Sequence, residues 1–324
     1  MKKMLTFSIL LLTFSGMNAQ KRFATDGIGY ITTSDNTVQV TSGENKVPSG
    51  GTYTGDVILP SSVTYSDVTY AVTGIGSFAF SGCWGMTSVK IPNSVTTIGK
   101  SAFSSCSALT GIDIPSSVAS IGSDAFNDCI RITHATIPYG VTKIETTLFF
   151  GCKGLLSVEI PTTVTSIESS AFYGCESLKT IDIPESVDVI GSAAFESCSG
   201  LTSVILPPNL LIIDEELFES CTALKSIHIP SKVTSIGTTA FFECELLSSV
   251  ELPSSLTSID KNAFTLCSLE SIRINATTPP DVLDEAFTGI DTEIPVYVPE
   301  SAVETYKTDG YWKKFTNIKA IESK

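Results

Sequence analysis

The sequence is poor in the residues on which most catalytic and metal-binding sites depend. Its 324 residues include only two histidines and two tryptophans, and only three of its 20 basic residues are arginines. It contains no Gly-x-Ser-x-Gly, no glycine-rich phosphate loop and no His-Glu-x-x-His motif. These absences predict a protein that is not an enzyme and that has no catalytic residue, cofactor or metal ion.

Positive charge and long apolar runs are also scarce. The formal net charge is −14, and so acidic a chain repels phosphate backbones, which argues against nucleic acid as a partner. No later stretch is apolar enough for a transmembrane helix. The N-terminus has Lys2 and Lys3, an apolar stretch from Leu5 to Phe14, and then Ala19, a pattern typical of a signal peptide. We therefore expect export to the extracellular space, the cell surface or the periplasm.

The dominant feature of the sequence is a 23-residue repeat. The cysteines lie 23 residues apart, at Cys83, Cys106, Cys129, Cys152, Cys175, Cys198, Cys221, Cys244 and Cys267. Phenylalanine recurs with the same period from Phe80 to Phe287, and isoleucine from Ile75 to Ile259. A fixed period of this length indicates stacked units and lies in the leucine-rich-repeat range.

One unit shows why the repeats must stack. Ile112 and Ile114 point to one side of a short strand and Asp113 to the other, so the strand cannot bury its apolar face alone. Stacking such units about 4.8 Å apart forms a parallel ladder and a continuous core. We predict a β-rich leucine-rich-repeat solenoid, a right-handed curved superhelix of about ten 23-residue repeats. It has a parallel sheet on one face, belongs to the α/β horseshoe-like class, and has an extended or 3₁₀ return path.

Departures from the repeat predict the domain boundaries. We expect a signal peptide at 1–19, an N-terminal β cap at 20–58, the solenoid at 59–290 and a C-terminal cap with a short helix at 291–324. Nine extra residues predict a hairpin insertion at 65–73. In the C-terminal cap, Trp312 and Phe315 are expected to cover the last layer.

The units closely resemble the BspA-like class of leucine-rich repeats, as the segments Thr96 to Phe103 and Thr234 to Phe241 illustrate. The tail from Tyr297 to Tyr306, followed by Trp312 to Phe315, looks like the terminal module of bacterial members. The resemblance implies a curved solenoid on secreted or surface proteins of host-associated bacteria. It also implies that matrix glycoproteins such as fibronectin are partners of some relatives, and it provides no shared catalytic residues.

The cysteine column has three interpretations. A zinc site needs cysteines two to four residues apart, which the 23-residue spacing excludes. Disulfides between neighbouring layers are conceivable in an exported protein. However, strand spacing places the Cβ atoms about 4.8 Å apart, beyond the usual 3.5–4.5 Å of a disulfide. A buried ladder of small apolar thiols is the favoured interpretation.

Candidate partner-binding residues lie at the outward position of each strand. They are Lys90, Asp113, Thr136, Glu159, Asp182, Ile205, His228 and Glu251. Paired carboxylates at this position could serve glycoside hydrolysis, but the variety of the column favours a solvated strand face. Phe150 and Tyr173, in adjacent layers, are expected to touch and form either a contact site or local packing under the turn. Trp84 is expected to stack on a sugar or to contact the cap.

These features predict a secreted or cell-surface protein, monomeric and non-catalytic, that binds proteins. Its ligand would be a protein or glycoprotein, with adhesion to host matrix glycoproteins as the specific form. The alternative is a carbohydrate-binding accessory protein that captures glycans. That function needs exposed aromatic residues on one face, and the outward column has none.

The thiol interpretation predicts the outcome of a labelling experiment. Without reductant, the native chain should resist alkylation, whereas the denatured chain should take up a label on most of its nine cysteines. Mass spectrometry counts the labels in each state. Four disulfide bridges and a single label after denaturation would contradict the interpretation.

Overall fold

The structure, a computed structural model, describes residues 20–42, 53–283 and 285–322. The predicted signal peptide lies outside the described residues. The chain forms a parallel β-solenoid of about 11 turns with a spacing of about 23 residues. The prediction of a β-rich leucine-rich-repeat solenoid is therefore confirmed.

The N-terminal part of the solenoid is a small mixed sheet. Its strands are β1 (Arg22–Thr25), β2 (Ile28–Thr32), β3 (Thr37–Thr41), β5 (Ser62–Tyr65) and β6 (Val68–Ile75). β1, β2 and β3 form an antiparallel meander, and β3 pairs with β6 in parallel. β5 and β6 form an antiparallel hairpin, and its turn residues Ser66 and Asp67 both have positive φ. That backbone matches the twist of a two-residue hairpin.

The first ladder contains the outward column. Its strands are β4 (Thr54–Ile58), β7 (Gly85–Lys90), β10 (His134–Thr136), β12 (Ser157–Glu159), β14 (Thr180–Asp182), β16 (Ser203–Ile205), β18 (Ser226–His228), β20 (Ser249–Leu252), β22 (Ser271–Ile274), β24 (Val296–Val298) and β25 (Ile318–Ala320). Because β4 pairs with β7 in parallel, this ladder includes residues ahead of Leu59. The layer at residues 110–114 forms no strand and contributes only one isolated bridge, from Ile112 to Ala135.

The return path forms a second parallel ladder. Its two-residue strands are β8 (Thr97–Ile98), β9 (Ser120–Ile121), β11 (Lys143–Ile144), β13 (Ser166–Ile167), β15 (Val189–Ile190), β17 (Ile212–Ile213), β19 (Ser235–Ile236), β21 (Ser258–Ile259) and β23 (Asp281–Val282). Each isoleucine that pairs does so with the residue 23 positions along, as Ile98 does with Ile121. The expectation of an extended return path is correct, and the pairing between layers is an addition to it.

Turns join the second ladder back to the first, and they are also bonded from layer to layer. The backbone N–H groups of Ser101, Phe103 and Ser105 donate to carbonyl groups of the next repeat at 2.9, 2.8 and 2.7 Å. Ser101 and Ser105 have φ of 52° and 60°, in the left-handed region that non-glycine residues seldom adopt. The repeated cost of that conformation is offset because it directs these N–H groups along the solenoid axis.

A stack of phenylalanine rings fills the core. Rings of neighbouring layers from Phe80 to Phe287 have centroids 5.1–5.7 Å apart, with planes within 16° of parallel. Offset stacks of this kind contribute energy beyond the area they bury. Because every layer supplies one ring in nearly the same orientation, both faces of each inner ring are covered by its two neighbours.

The cysteines lie beside this stack as buried thiols. The Cys106 thiol donates to the carbonyl oxygen of Phe80 at 3.1 Å, and each later cysteine makes the same bond at 3.1–3.3 Å. Burial raises the pKa of Cys152 to about 12, which keeps its thiol protonated and able to donate. Cysteine is thus a small apolar residue that also supplies a weak hydrogen-bond donor.

Aromatic residues close the C-terminal end. After the α-helix α1 (Val303–Thr308), a 3₁₀ turn at Trp312–Lys314 places Trp312 in full burial, with its ring 5.6 Å from that of Phe287. The Trp312 indole N–H donates to the Pro280 carbonyl at 3.1 Å. Phe315 meets the Phe287 ring edge-on. The expectation that Trp312 and Phe315 cover the last layer is confirmed.

The ring stack makes Phe172 a sensitive test of the core. Phe172 is fully buried between Phe149 and Phe195, at 5.6 and 5.5 Å. Phe172→Ala should lower the free energy of unfolding by about 3–5 kcal/mol because both neighbours lose a packed face. Urea denaturation measures the change, and the half-buried Phe242→Ala is the matched control with a smaller loss. A loss below about 1 kcal/mol at Phe172 would contradict the role of the stack.

Candidate partner-binding surface

The outward column of the first ladder forms a continuous exposed surface, which we call the ribbon. Its residues are all exposed, and they are Lys90, Asp113, Thr136, Glu159, Asp182, Ile205, His228 and Glu251. Neighbouring layers are in register wherever the strands pair, as in Asp182 beside Ile205 and His228 beside Glu251. The structure therefore brings the candidate ribbon residues together on one face.

The ribbon extends beyond the candidates at both ends. Ile58 pairs with Lys90 and is 69% exposed, and Arg273 continues the column after Glu251. Sequence reasoning missed both residues because each lies where the 23-residue spacing fails. Ile205, at 78% exposure, is the most exposed large apolar side chain of the described residues.

Contacts within the ribbon occupy some of its carboxylates. Glu159 accepts a hydrogen bond from the Thr136 hydroxyl at 3.2 Å. Glu251 accepts one from the Asn275 amide at 2.8 Å and pairs with Arg273 at 3.4 Å. Such exposed pairs contribute little to stability. By contrast, the other two ribbon acids, Asp113 and Asp182, have no side-chain partner among the described residues.

The arrangement does not gather the groups that hydrolytic or metal chemistry requires. His134 and His228 are separated by four layers, and the cysteine thiols are buried away from the ribbon. Within residues 20–42, 53–283 and 285–322, no group of three or more histidine, cysteine or acidic side chains could hold a metal ion. The ribbon offers hydrogen bonds, charge and apolar contact to a partner.

Phe150 and Tyr173 form a stacked pair on the turn side. Their ring centroids are 4.4 Å apart, the planes differ by 4°, and both side chains are half-buried. The same column continues with Glu196, Glu219 and Phe242 in the following layers. Burial, and then the neighbouring carboxylates of Glu219 and Glu216, raise the pKa of Glu196 to about 7, against the lowering effect of a hydrogen bond from Tyr173.

Several exposed apolar residues lie outside the candidate set. Trp84 is 61% exposed, so most of its ring is not covered by the N-terminal sheet, and Tyr139 is 73% exposed. On the second ladder, Val189 and Ile212 of adjacent layers are each more than half exposed, as is Leu211 directly before Ile212. Tyr139 could have been found from the sequence. The position after the repeat proline is polar in the earlier layers, as Asn93 and Ser116 show, and it becomes aromatic at Tyr139.

The sequence matches the BspA type leucine-rich repeat region, with six copies of the repeat over residues 59–179, 119–244 and 165–293. The chain belongs to this family. The resemblance seen in the repeat motif is therefore confirmed. No curated protein has a sequence similar to that of the chain.

Solved structures of bacterial leucine-rich-repeat proteins are similar to the chain. One is a leucine-rich cell surface protein from Faecalibacterium prausnitzii, 27% identical, with 95% of this chain and 97% of that chain covered and a TM-score of 0.57. The pneumococcal vaccine antigen PcpA is 18% identical, with 94% and 99% covered and a TM-score of 0.54, a likeness of fold alone. A T. pallidum leucine-rich-repeat protein is 28% identical, with 70% and 91% covered and a TM-score of 0.46.

The family and the fold support a non-catalytic repeat protein of the bacterial surface type. They likewise suggest a surface or secreted location. Among the described residues, no helix is long and apolar enough to cross a membrane.

The raised pKa of Glu196 predicts a pH-dependent stability. The folded chain holds this proton more tightly than the unfolded chain, whose carboxyl has a pKa near 4.5, so stability should fall as pH rises from about 4.5 to about 7. Glu196→Gln removes the titration. Its melting temperature should match wild type at pH 4 and exceed it at pH 8. Glu185→Gln, at an exposed carboxylate, is the control. A difference between Glu196→Gln and wild type that stays constant with pH would contradict the assignment.

Proposed function

We propose that the chain is exported and that its ribbon binds a protein or glycoprotein outside the cell, with host matrix glycoproteins as the specific class. In this proposal the chain acts as a monomer and catalyses no reaction. The observation that carries it is the ribbon itself. Its side chains vary in charge and size from layer to layer, whereas the inward aliphatic, phenylalanine and cysteine positions stay nearly constant. Variation confined to an exposed column is expected of a recognition surface on a constrained scaffold.

Two further observations support a macromolecular partner. Long parallel arrays create extended surfaces that suit large ligands, and leucine-rich-repeat proteins are typically protein-binding. The leader from Lys2 to Ala19 and the similarity to a cell surface protein from Faecalibacterium prausnitzii support a location outside the cytoplasm.

The charge of the ribbon suggests the chemistry of the partner's surface. Asp113, Glu159 and Asp182 lie on the exposed face of a chain with a net charge of −14, so a basic patch is the complementary surface. Such attraction is screened over a Debye length of about 8–10 Å, so salt should weaken the affinity. Phe150 and Tyr173 are the second proposed contact, on the turn side of the same layers.

Glycan capture is the alternative function, and one structural observation favours it. The ribbon residues include no aromatic side chain, but Trp84 and Tyr139, at 61% and 73% exposure, lie near the N-terminal end of the first ladder. Aromatic rings with an apolar body and a polar tip suit the mixed surface of a sugar.

The ribbon proposal predicts a loss of binding without a loss of stability. With fibronectin as the probe, replacement of Asp113, Glu159 and Asp182 by serine should weaken binding about tenfold, because three exposed charge contacts are lost. The thermal midpoint should stay unchanged, since none of these side chains packs in the core. Biolayer interferometry at two salt concentrations measures both the affinity and its screening.

A second triple variant controls for net charge. Glu185→Ser, Asp188→Ser and Glu245→Ser remove three exposed carboxylates away from the ribbon and should leave the affinity unchanged. If the ribbon variant still binds but Phe150→Ser with Tyr173→Ser does not, the contact lies on the turn side. If the purified chain binds neither fibronectin nor any other matrix glycoprotein, the adhesion proposal fails.

A further inference from the structure

One layer of the first ladder contains no strand. Every other layer from β7 to β24 contains a strand of this ladder, but residues 110–114 contribute only the bridge from Ile112 to Ala135. β7 pairs with β4 on one side and with no strand on the other; strand pairing is also absent between β12 and β14 and between β16 and β18, but there each layer still contains a strand. The interruption lies between Lys90 and Thr136 of the ribbon.

Gly111 marks the interruption in the sequence. Its column otherwise contains polar side chains, which are Ser88, His134, Ser157, Thr180, Ser203, Ser226 and Ser249. The backbone does not require glycine here, since Gly111 does not have positive φ and a Cβ at this position would meet no atom within 4 Å. Glycine therefore leaves open space in the column at a place where the fold would accept a side chain.

Two adjoining depressions lie at this layer, and Gly111 lines the first of them. One, of about 310 Å³, is lined by Gly111, Thr110, Asp113, His134 and Thr136 among others. The second, of about 420 Å³, lies between Lys90 and Asp113, and its lining includes the aliphatic residues Val89, Ile91 and Ile114. Ser88 and Asp113 line both, so the two depressions meet at these residues. Volumes of this size are in the range of small-ligand sites.

The polar groups around the depressions are available to a ligand. Asp113 has no side-chain hydrogen bond or ion pair among the described residues, unlike Glu159 and Glu251 in the same column. Lys90 lies in the neighbouring layer, yet none of the ion pairs of the described residues joins it to Asp113. A carboxylate that accepts and an ammonium that donates therefore line the same depression without satisfying each other.

Exposed aromatic residues lie on both sides of the interruption. Trp84 directly precedes β7, on the side where the strands of the ladder begin. Tyr139 follows Pro138, on the side where the strands end, and it occupies the column position of Asn93, which lines the second depression. Neither ring lines the depressions, but each lies just beyond an end of a strand, β7 or β10, that does.

We propose that this interruption is a saccharide-binding site for a neutral, hydroxyl-rich sugar chain, a hexose or N-acetylhexosamine oligomer. Asp113 accepts hydrogen bonds from sugar hydroxyls, and Lys90, Ser88 and Thr136 provide the donors and the remaining acceptors. The acidic chain disfavours sialylated or sulfated glycans. The site refines the proposed function, because it names the glycan of a glycoprotein as the group bound at this part of the ribbon. To that extent the saccharide site rests on the proposed function.

Filling the gap at Gly111 tests the proposal. Gly111→Tyr places a ring in the depression, and Ser226→Tyr places the same ring in the same column five layers away. Asp113→Asn keeps the shape of the site and removes the charge. The probes are lactose, N-acetyllactosamine, mannotriose and chitotriose, measured by saturation-transfer NMR and calorimetry. We expect at least one of these sugars to bind wild type and Ser226→Tyr with equal affinity. The affinity of Gly111→Tyr and of Asp113→Asn for the same sugar should each be at least tenfold lower. Equal thermal midpoints establish that the variants are folded.

The outcomes separate this proposal from the proposed function. The saccharide site is overturned if none of the four sugars binds at about 10 mM, a concentration at which even weak binding would be detected. It is also overturned if Gly111→Tyr binds the sugars as well as wild type does. If Gly111→Tyr no longer binds fibronectin whose glycans have been removed enzymatically, but its sugar binding is unchanged, a protein segment occupies the gap. In that case the saccharide site fails and the protein-binding function stands. If a sugar binds as expected but fibronectin does not, the saccharide site stands and the matrix-adhesion function fails.

Discussion

The rest of the structure depends on in-register stacking at an offset of 23 residues. Each inner phenylalanine of the core stack meets the phenylalanine 23 positions before it and the one 23 positions after it. Each cysteine thiol from Cys106 onward donates to the carbonyl of the phenylalanine 26 positions earlier. The backbone bonds of the ladders and turns repeat at the same offset. A layer that shifted by one residue would lose the ring contact, the thiol bond and the ladder bonds together, which is why the period is kept so strictly.

This constraint divides the molecule into positions that cannot change and positions that can. Inward positions must match the same residue type in two neighbouring layers, so they are nearly invariant along the chain. The ribbon has no such requirement, and it contains lysine, acids, threonine, isoleucine and histidine in successive layers. Gly111 belongs to the second class of position. Its lack of a side chain does not disturb the phenylalanine stack, since Phe103 and Phe126 remain 5.6 Å apart beside it.

Most of the fold could be predicted because periodicity is visible in sequence and stacking is its simplest physical explanation. Phe80 to Phe287 and Cys83 to Cys267 identify the core column before any contact is known, and Trp312 is recognisable as an end cover because it follows the last repeat. The second ladder could not be predicted, because two-residue strands such as Thr97–Ile98 have no pattern of their own and pair only after the layers stack. The depressions beside Gly111 were missed for a related reason. The glycine is visible in its column, but that its layer forms no strand and borders a depression is seen only once the layers are stacked.

The thiol ladder has a consequence for how the chain behaves in air or in any oxidising solution. In the folded state burial keeps the thiols protonated, and a protonated thiol is a poor nucleophile for disulfide exchange. In the unfolded state the same nine cysteines are solvent-accessible and evenly spaced along one chain, so that many incorrect pairings are open to them. Unfolding under oxidising conditions is therefore a one-way event, and the lifetime of the native solenoid is governed by its unfolding rate, not by its equilibrium stability.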